Sequence, residues 1–343
     1  MTSQLVAAFR SPSHNRPWQH DLAHAIRSPN ALCALLDLNP QQFPQPNSAT
    51  FPLRVPPSYL ARINKGDPQD PLLRQILPQS AEDTITTGFV TDPVGDLPAK
   101  VAPGTIHKYQ GRLLIMPTSV CPIHCRYCFR RHFVHERFHL PTTLRYLAAN
   151  PAIHEVIVSG GDPLSLSNQR LATLLNSLTT IPHLKRLRIH TRMPIVLPQR
   201  IDDGLLTILA RLTTAKIMVL HSNHRNELNS EVQQVCAQLA RANVTLLNQS
   251  VLLRGVNDTI AAQRDLAEAL CEMGVIPYYL HLLDPVQGAQ HFNVTDTAAV
   301  TIIDGLRVQL PGYLVPRLVR ELAGAPSKIT PLPGNECVEE SLI

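Results

Sequence analysis

Cys121-Pro-Ile-His-Cys125-Arg-Tyr-Cys128-Phe-Arg-Arg131 follows the apolar run Arg112-Leu-Leu-Ile-Met116, and its reading decides the fold. The spacing of three residues and then two sets three thiolates on one short loop. Such a loop can hold three irons of a four-iron cluster and leave the fourth iron without a protein ligand, open to chemistry. The competing reading is a structural zinc site completed by His124, His132 or His135, because zinc accepts three cysteines and one histidine. Structural zinc sites usually pair two knuckles from separated segments, whereas Cys236, Cys271 and Cys337 stand alone.

Outward from this loop, apolar strand-like runs alternate with helical periodicity, the pattern of βα units around a parallel sheet. Strands are expected at Arg112 to Met116, Glu155 to Val158, Leu184 to Ile189, Ala215 to Leu220, Val244 to Leu247 and Val275 to Leu283. Helices are expected near 141–149, 166–179, 200–212, 227–242, 258–273 and 295–309. The fold class that follows is α/β, a partial (β/α)6 TIM-like barrel over 105–310. A proline-rich, irregular and partly helical region (1–104) precedes it, and a short C-terminal segment (311–343) follows. Polar residues collect after the strands: the three cysteines, Ser159-Gly-Gly-Asp-Pro163, His190-Thr-Arg192, His221-Ser-Asn-His224, Asn248-Gln-Ser250, then His281 and Asp284. In a βα-barrel these strand ends share one face, where an active site is built.

The 343-residue chain has 44% hydrophobic and 17% charged residues and a net charge of +5, ordinary values for a water-soluble globular protein. Its basic residues are spread rather than blocked, so no nucleic-acid partner is signalled. Seven cysteines, an odd number with three clustered, do not make a disulfide framework and point to a reducing, cytoplasmic setting. No basic segment leads into a sustained apolar core at the start, and no stretch approaches ~20 apolar residues. Neither a signal peptide nor a membrane partner is expected.

The cysteine motif resembles that of the radical S-adenosylmethionine superfamily. The resemblance implies a [4Fe-4S] cluster on Cys121, Cys125 and Cys128 whose open iron is chelated by S-adenosyl-L-methionine, and reductive cleavage of that cofactor to a 5′-deoxyadenosyl radical. Ser159-Gly-Gly-Asp-Pro163 is similar to the superfamily's glycine-rich turn, which implies that Gly160, Gly161 and Asp162 lie against the methionyl amine. More of the chain, over roughly 105–330, resembles the lysine 2,3-aminomutases: Cys121 to Arg131, Ser159 to Leu164, His221 to Glu227, Leu247 to Asp258 and Tyr278 to Phe292. Its short form is similar to the branch that makes (R)-β-lysine for elongation factor P, which implies a functional link to that factor and its ligase, a reductant protein and a homo-oligomer.

Those aminomutases bind pyridoxal 5′-phosphate through a lysine. Of six lysines, Lys185 and Lys216 begin strands, and Lys65, Lys100 and Lys108 precede the first expected strand, which leaves Lys328. The resemblance implies further roles: Arg112 on the cofactor phosphate, Arg130 on the substrate carboxylate, and His281 where relatives carry a tyrosine beside the pyridoxal ring. It sets His221 within reach of S-adenosylmethionine. Asp284 and Glu321 fit the distal ammonium of L-lysine, since a buried ammonium needs carboxylates. Relatives have an aspartate in place of Glu321. The implied reaction is radical removal of a hydrogen from Cβ and migration of nitrogen from Cα to Cβ, giving β-lysine. An aminomutase for another amino acid, such as glutamate, is a rival that needs neither carboxylate. Rivals of other kinds are a zinc-stabilised RNA-binding module and a tRNA-modifying radical enzyme.

Overall fold

The computed structural model describes residues 17–47, 51–134 and 136–331; His135 and Cys337 lie outside them. One nine-stranded sheet runs in strict chain order. Strands β1 (Lys100–Ala102), β2 (Thr105–Tyr109) and β3 (Arg112–Ile115) pair antiparallel. From β3 onward every pairing is parallel: β4 (Glu155–Val158), β5 (Arg186–Thr191), β6 (Ala215–His221), β7 (Thr245–Val251), β8 (Ile276–His281) and β9 (Arg317–Val319). The sheet stays open, with β1 and β9 as its edges.

The longer helices between the parallel strands are α1 (Leu140–Ala149), α2 (Asn168–Thr179), α3 (Asp203–Arg211), α4 (Ser230–Arg241), α5 (Ile260–Glu272) and α6 (Asp296–Gln309). Each of α2 to α6 starts where a short polar side chain accepts an otherwise unpaired backbone N–H: Ser167, Asp202, Asn229, Thr259 and Thr295. Such caps contribute about 1 kcal/mol apiece. Helix α1 instead carries Pro141 in its first turn, where the missing N–H costs nothing.

Side-chain alternation along the strands divides the interior into two layers. Leu113, Val156 and Leu187 stand in register, as do Ile115, Val158, Ile189 and Met218, and these residues join the apolar core with the helices. The intervening positions, Leu114, Ile157 and Arg188 in one row and His190 beyond, face an internal cavity. A closed barrel fills that space with branched apolar side chains. Here it is lined by histidines, arginines and tyrosines.

The first hundred residues form short helices, among them Trp18–Ala23, Pro29–Leu35, Pro57–Leu60 and Pro71–Arg74, three of which open on a proline. Trp18, Leu32 and Leu72 belong to the same apolar cluster as Leu113, Leu171 and Leu205, so this region packs on the barrel wall. The Ser58 hydroxyl donates to the Val196 carbonyl at 2.6 Å across that seam. The expected strands and helices are all present, with ends moved by a few residues; β1, β2 and β9 are additional to the expectation.

Candidate active site

The Cys121 to Cys128 loop leaves β3 and crosses the end of the cavity. All three cysteines line it, together with Gly160, Gly161 and Asp162 from the loop after β4. The two glycines are required by the cysteine loop itself. A Cβ on Gly160, whose φ is +111°, would sit 2.6 Å from the Thr118 carbonyl oxygen, and one on Gly161 would sit 2.6 Å from the Val120 carbonyl oxygen. Asp162 then locks the turn: it accepts from Leu164 N and the Thr191 hydroxyl on one oxygen, and from Arg192 N and Met193 N on the other. Both oxygens are spent on the protein, which places Asp162 in a positioning role at the cavity wall.

The N-terminal region braces the loop from outside. Arg126, fully buried between two of the cysteines, forms a two-pronged pair with Glu82, which also accepts from Arg131. His124 donates its backbone N–H to the Arg54 carbonyl, and its ring meets the Pro52 carbonyl at 2.8 Å. His132 similarly meets the Gln287 carbonyl at 3.0 Å. In each histidine one ring nitrogen is thus engaged by a main-chain carbonyl outside the cysteine loop. Burial, and then the neighbouring thiolates, push the Cys121 and Cys128 thiols up, Cys128 to about 11. A cationic iron cluster is the kind of group that offsets such crowding, and a cubane takes one thiolate per iron rather than converging all three on one ion. Among the described residues no three metal-binding side chains converge on a single point.

The cavity, of about 450 Å³, does not stop at the C-terminal strand ends. It continues down the barrel to Tyr109, Arg112, Tyr278 and Arg317, near the starts of their strands or at the β2–β3 turn. The residues expected at the strand ends share this cavity, and residues at strand starts extend it beyond that expectation. The placement of Lys108 is corrected. It lies in a strand, as Lys100 does, not ahead of the sheet, and it lines the cavity.

Lys108 and Lys328 are the lysines that line this space. Glu321 stands between them, accepting from Lys108 at 3.0 Å and from Lys328 at 2.5 Å. Lys108 is further engaged by Asp96 at 2.6 Å and the Val94 carbonyl at 2.7 Å, so its three N–H donors have three acceptors. Among the described residues Lys328 has one partner, Glu321. Burial alone would raise the Glu321 carboxyl, but Lys328 and Lys108 prevail and hold it at about 2.

Asp284 is the opposite case. Burial, reinforced by the Glu321 carboxylate, pushes it up to about 7 against the pull of Lys328, Lys108 and Arg130. Its Oδ1 is buried with no hydrogen-bond partner among the described residues. Three imidazoles share the cavity: burial first, then nearby cations, lower His281 and His221 to about 3 and also push His190 well below its ordinary value. The Nε2 of each is buried and has no hydrogen-bond partner among the described residues. Arg112 stacks on the Tyr109 ring at 4.4 Å, and Arg130 bonds Asp96 through Nε at 2.9 Å.

Every expected site residue therefore lines one cavity. The sequence reading missed Asp96, Tyr109, Arg188 and Arg317, set Lys108 aside, and placed Arg192 at a strand end without giving it a role. A two-residue Gln110-Gly111 turn between Tyr109 and Arg112, with Gly111 at φ +79°, is the hairpin signal that could have found the first strands and Lys108 with them.

Residues 115–275 match the model of the Radical SAM superfamily. The chain is 45% identical over 335 residues to the L-lysine 2,3-aminomutase of Escherichia coli (strain K12), covering 95% of this chain and 97% of that one. It is 46% identical over 318 residues to the L-lysine 2,3-aminomutase of Haemophilus influenzae, covering 91% and 94%. Among solved structures, the crystal structure of Streptococcus suis SuiB aligns over 62% of this chain and 50% of that chain with a TM-score of 0.47 and 15% identity.

Proposed function

From the premise that this chain belongs to the L-lysine 2,3-aminomutase family of the radical SAM superfamily, and is thus an isomerase, we propose that it converts L-lysine to β-lysine with pyridoxal phosphate held on Lys328. The observation that carries the assignment is the inequality of the two cavity lysines. Lys108 has all three donors occupied, whereas among the described residues Lys328 is tethered by one carboxylate and can exchange that contact for a covalent partner.

When bound, the cluster and S-adenosylmethionine supply a carbon radical, and the pyridoxal group supplies an imine π system able to carry the unpaired electron as nitrogen migrates. The residues present fit these groups. Cys121, Cys125 and Cys128 would hold the cluster, with Gly160 and Gly161 allowing the loop its path and His221 turned toward the same space. Arg112 would take the phosphate, because its guanidinium is preset on Tyr109 and forms no ion pair among the described residues. His281, kept neutral by burial, offers an uncharged edge to the pyridoxal ring.

The substrate is gripped at both ends. Arg130, fixed through Nε by Asp96, keeps its outer nitrogens for the carboxylate. Asp284 takes the distal ammonium: a carboxylate raised to about 7, whose buried Oδ1 has no partner among the described residues, gains most from a cation. Glu321, released by Lys328, completes that pocket. A second carboxylate at this end, as in glutamate, would meet Asp284 and Glu321 with like charge, which disfavours the glutamate rival. Ile106, Leu114, Ile157 and Val251 add apolar lining that offers a reactive radical no polar partner. The proposal extends to (R)-β-lysine for elongation factor P, on the resemblance drawn from the sequence. It further includes a cytoplasmic location, a separate reductant protein and a homo-oligomer. Among the described residues no helix is long and apolar enough to cross a membrane.

Borohydride reduction of the pyridoxal-loaded protein, followed by peptide mass spectrometry, tests the assignment. The pyridoxyl mass is expected on Lys328; its appearance on Lys108 would overturn it.

A further inference from the structure

The cavity wall behind Cys125 holds a charged network that the roles above do not use. Arg192 leaves β5 with its backbone N–H fixed on Asp162 at 2.7 Å, and its side chain is buried. One terminal nitrogen, Nη1, lies 2.6 Å from the Cys125 sulfur and 2.7 Å from the Tyr127 hydroxyl. The other, Nη2, donates to Gln75 Oε1 and Glu227 Oε2, each at 2.8 Å. Glu227 is fully buried and is itself held by Asn223 N and Gln75 Nε2. The remaining donor, Arg192 Nε, is buried and has no acceptor among the described residues.

A purely structural ion pair would account for the Arg192 and Glu227 contact alone. It does not account for a guanidinium turned so that one arm reaches a cluster-ligand sulfur while a third donor is left unmet. Removing a buried cation from water is costly, and here four residues from three separate segments hold its orientation. We propose that Arg192 is a positioning residue for the iron–sulfur cluster: it donates an N–H to the Cys125 sulfur and so raises the cluster's readiness to accept an electron, while Glu227 limits the effect by balancing its charge. Hydrogen bonds to ligand sulfurs draw off electron density and favour the reduced, more negative cluster. Gln75 extends the device to the N-terminal region and gives that part of the chain a role at the site. This inference rests on the cluster reading above.

The test uses the reconstituted full chain under anaerobic conditions, with iron content measured alongside the reduced fraction of the cluster by EPR at a fixed poised potential. Arg192→Lys keeps a positive charge, but a single ammonium cannot span both Glu227 and Cys125. The expected result is wild-type iron content with a reduced-to-oxidised ratio about tenfold lower, which for one electron is about 59 mV. Glu227→Gln, which removes the balancing charge, is expected to move the ratio in the opposite direction. Because either variant could fold poorly, the wild-type protein provides a third readout: with arginine labelled by 15N, pulsed EPR of the reduced cluster should show a coupling to guanidinium nitrogen. Iron-replete variants with an unchanged ratio, or no nitrogen coupling in the wild type, would overturn the role of Arg192 alone. A wild type that binds no iron would overturn the cluster reading and this inference together.

Discussion

Replacing Asp284 with asparagine should make the substrate-free protein more stable and the enzyme worse, and the two effects should separate with pH. Holding the carboxyl at about 7 rather than its ordinary 3.8 corresponds to about 4 kcal/mol that folding gives up at pH 8. The sign follows from linkage. A carboxyl whose folded pKa is raised contributes no penalty below about pH 4, where the unfolded chain is protonated too. The penalty accumulates as pH climbs to about 7 and then stays constant. Asparagine keeps the shape and removes the charge. After relaxation of the buried site the net gain at pH 8 is expected at ~1–3 kcal/mol, seen as a rise of a few °C in Tm. At pH 5.5 the gain should fall by about half. Turnover should move the other way: a buried ammonium that loses its carboxylate partner forfeits at least ~2 kcal/mol, about 30-fold in kcat/KM for lysine. Calorimetry of wild type and Asp284→Asn at both pH values, beside lysine kinetics, checks this. A variant less stable at pH 8, or a Tm difference that ignores pH, would refute the reasoning.

Three further outcomes follow from the same geometry. The kcat/KM for lysine should rise with pH toward a plateau above about 7, since Asp284 must ionise to pair with the ammonium; a flat profile from pH 6 to 8 would contradict this. Gly161→Ala should lower bound iron by more than half, because its Cβ would lie within 2.6 Å of cysteine-loop backbone that cannot yield cheaply; iron analysis reads the effect, and full occupancy would refute it. Glu82→Gln should cost ~3–5 kcal/mol in chemical denaturation by leaving buried Arg126 and Arg131 uncompensated, and unchanged stability would show that the brace is dispensable.

The features legible in the sequence are those encoded over short stretches. The cysteine spacing, the Gly160-Gly161-Asp162 turn and the strand–helix alternation each depend on neighbours within a few residues, and the structure places them as read. Strand β9 escaped notice because Arg317-Leu-Val319 is too short to show a period and follows a proline. Strands β1 and β2 escaped because a proline-rich approach masked the hairpin. The electrostatics escaped for a deeper reason: the partners are distant in the chain. Lys108 meets Glu321 across 213 positions, and Arg192 meets Gln75 across 117. No local pattern announces such pairs. The elimination that singled out Lys328 assumed the site would sit at one barrel end, and only the continuous cavity shows that Lys108 had to be weighed against it.

The central claim, that lysine is rearranged in this cavity, is tested most directly by following one nitrogen. The reconstituted and reduced protein, supplied with S-adenosylmethionine and pyridoxal phosphate, would be given L-lysine carrying 15N at its α-amino group and the product examined by NMR. The account predicts β-lysine with the label on Cβ. Lysine recovered with its label still on Cα, from protein whose cluster is intact and reduced, would contradict it.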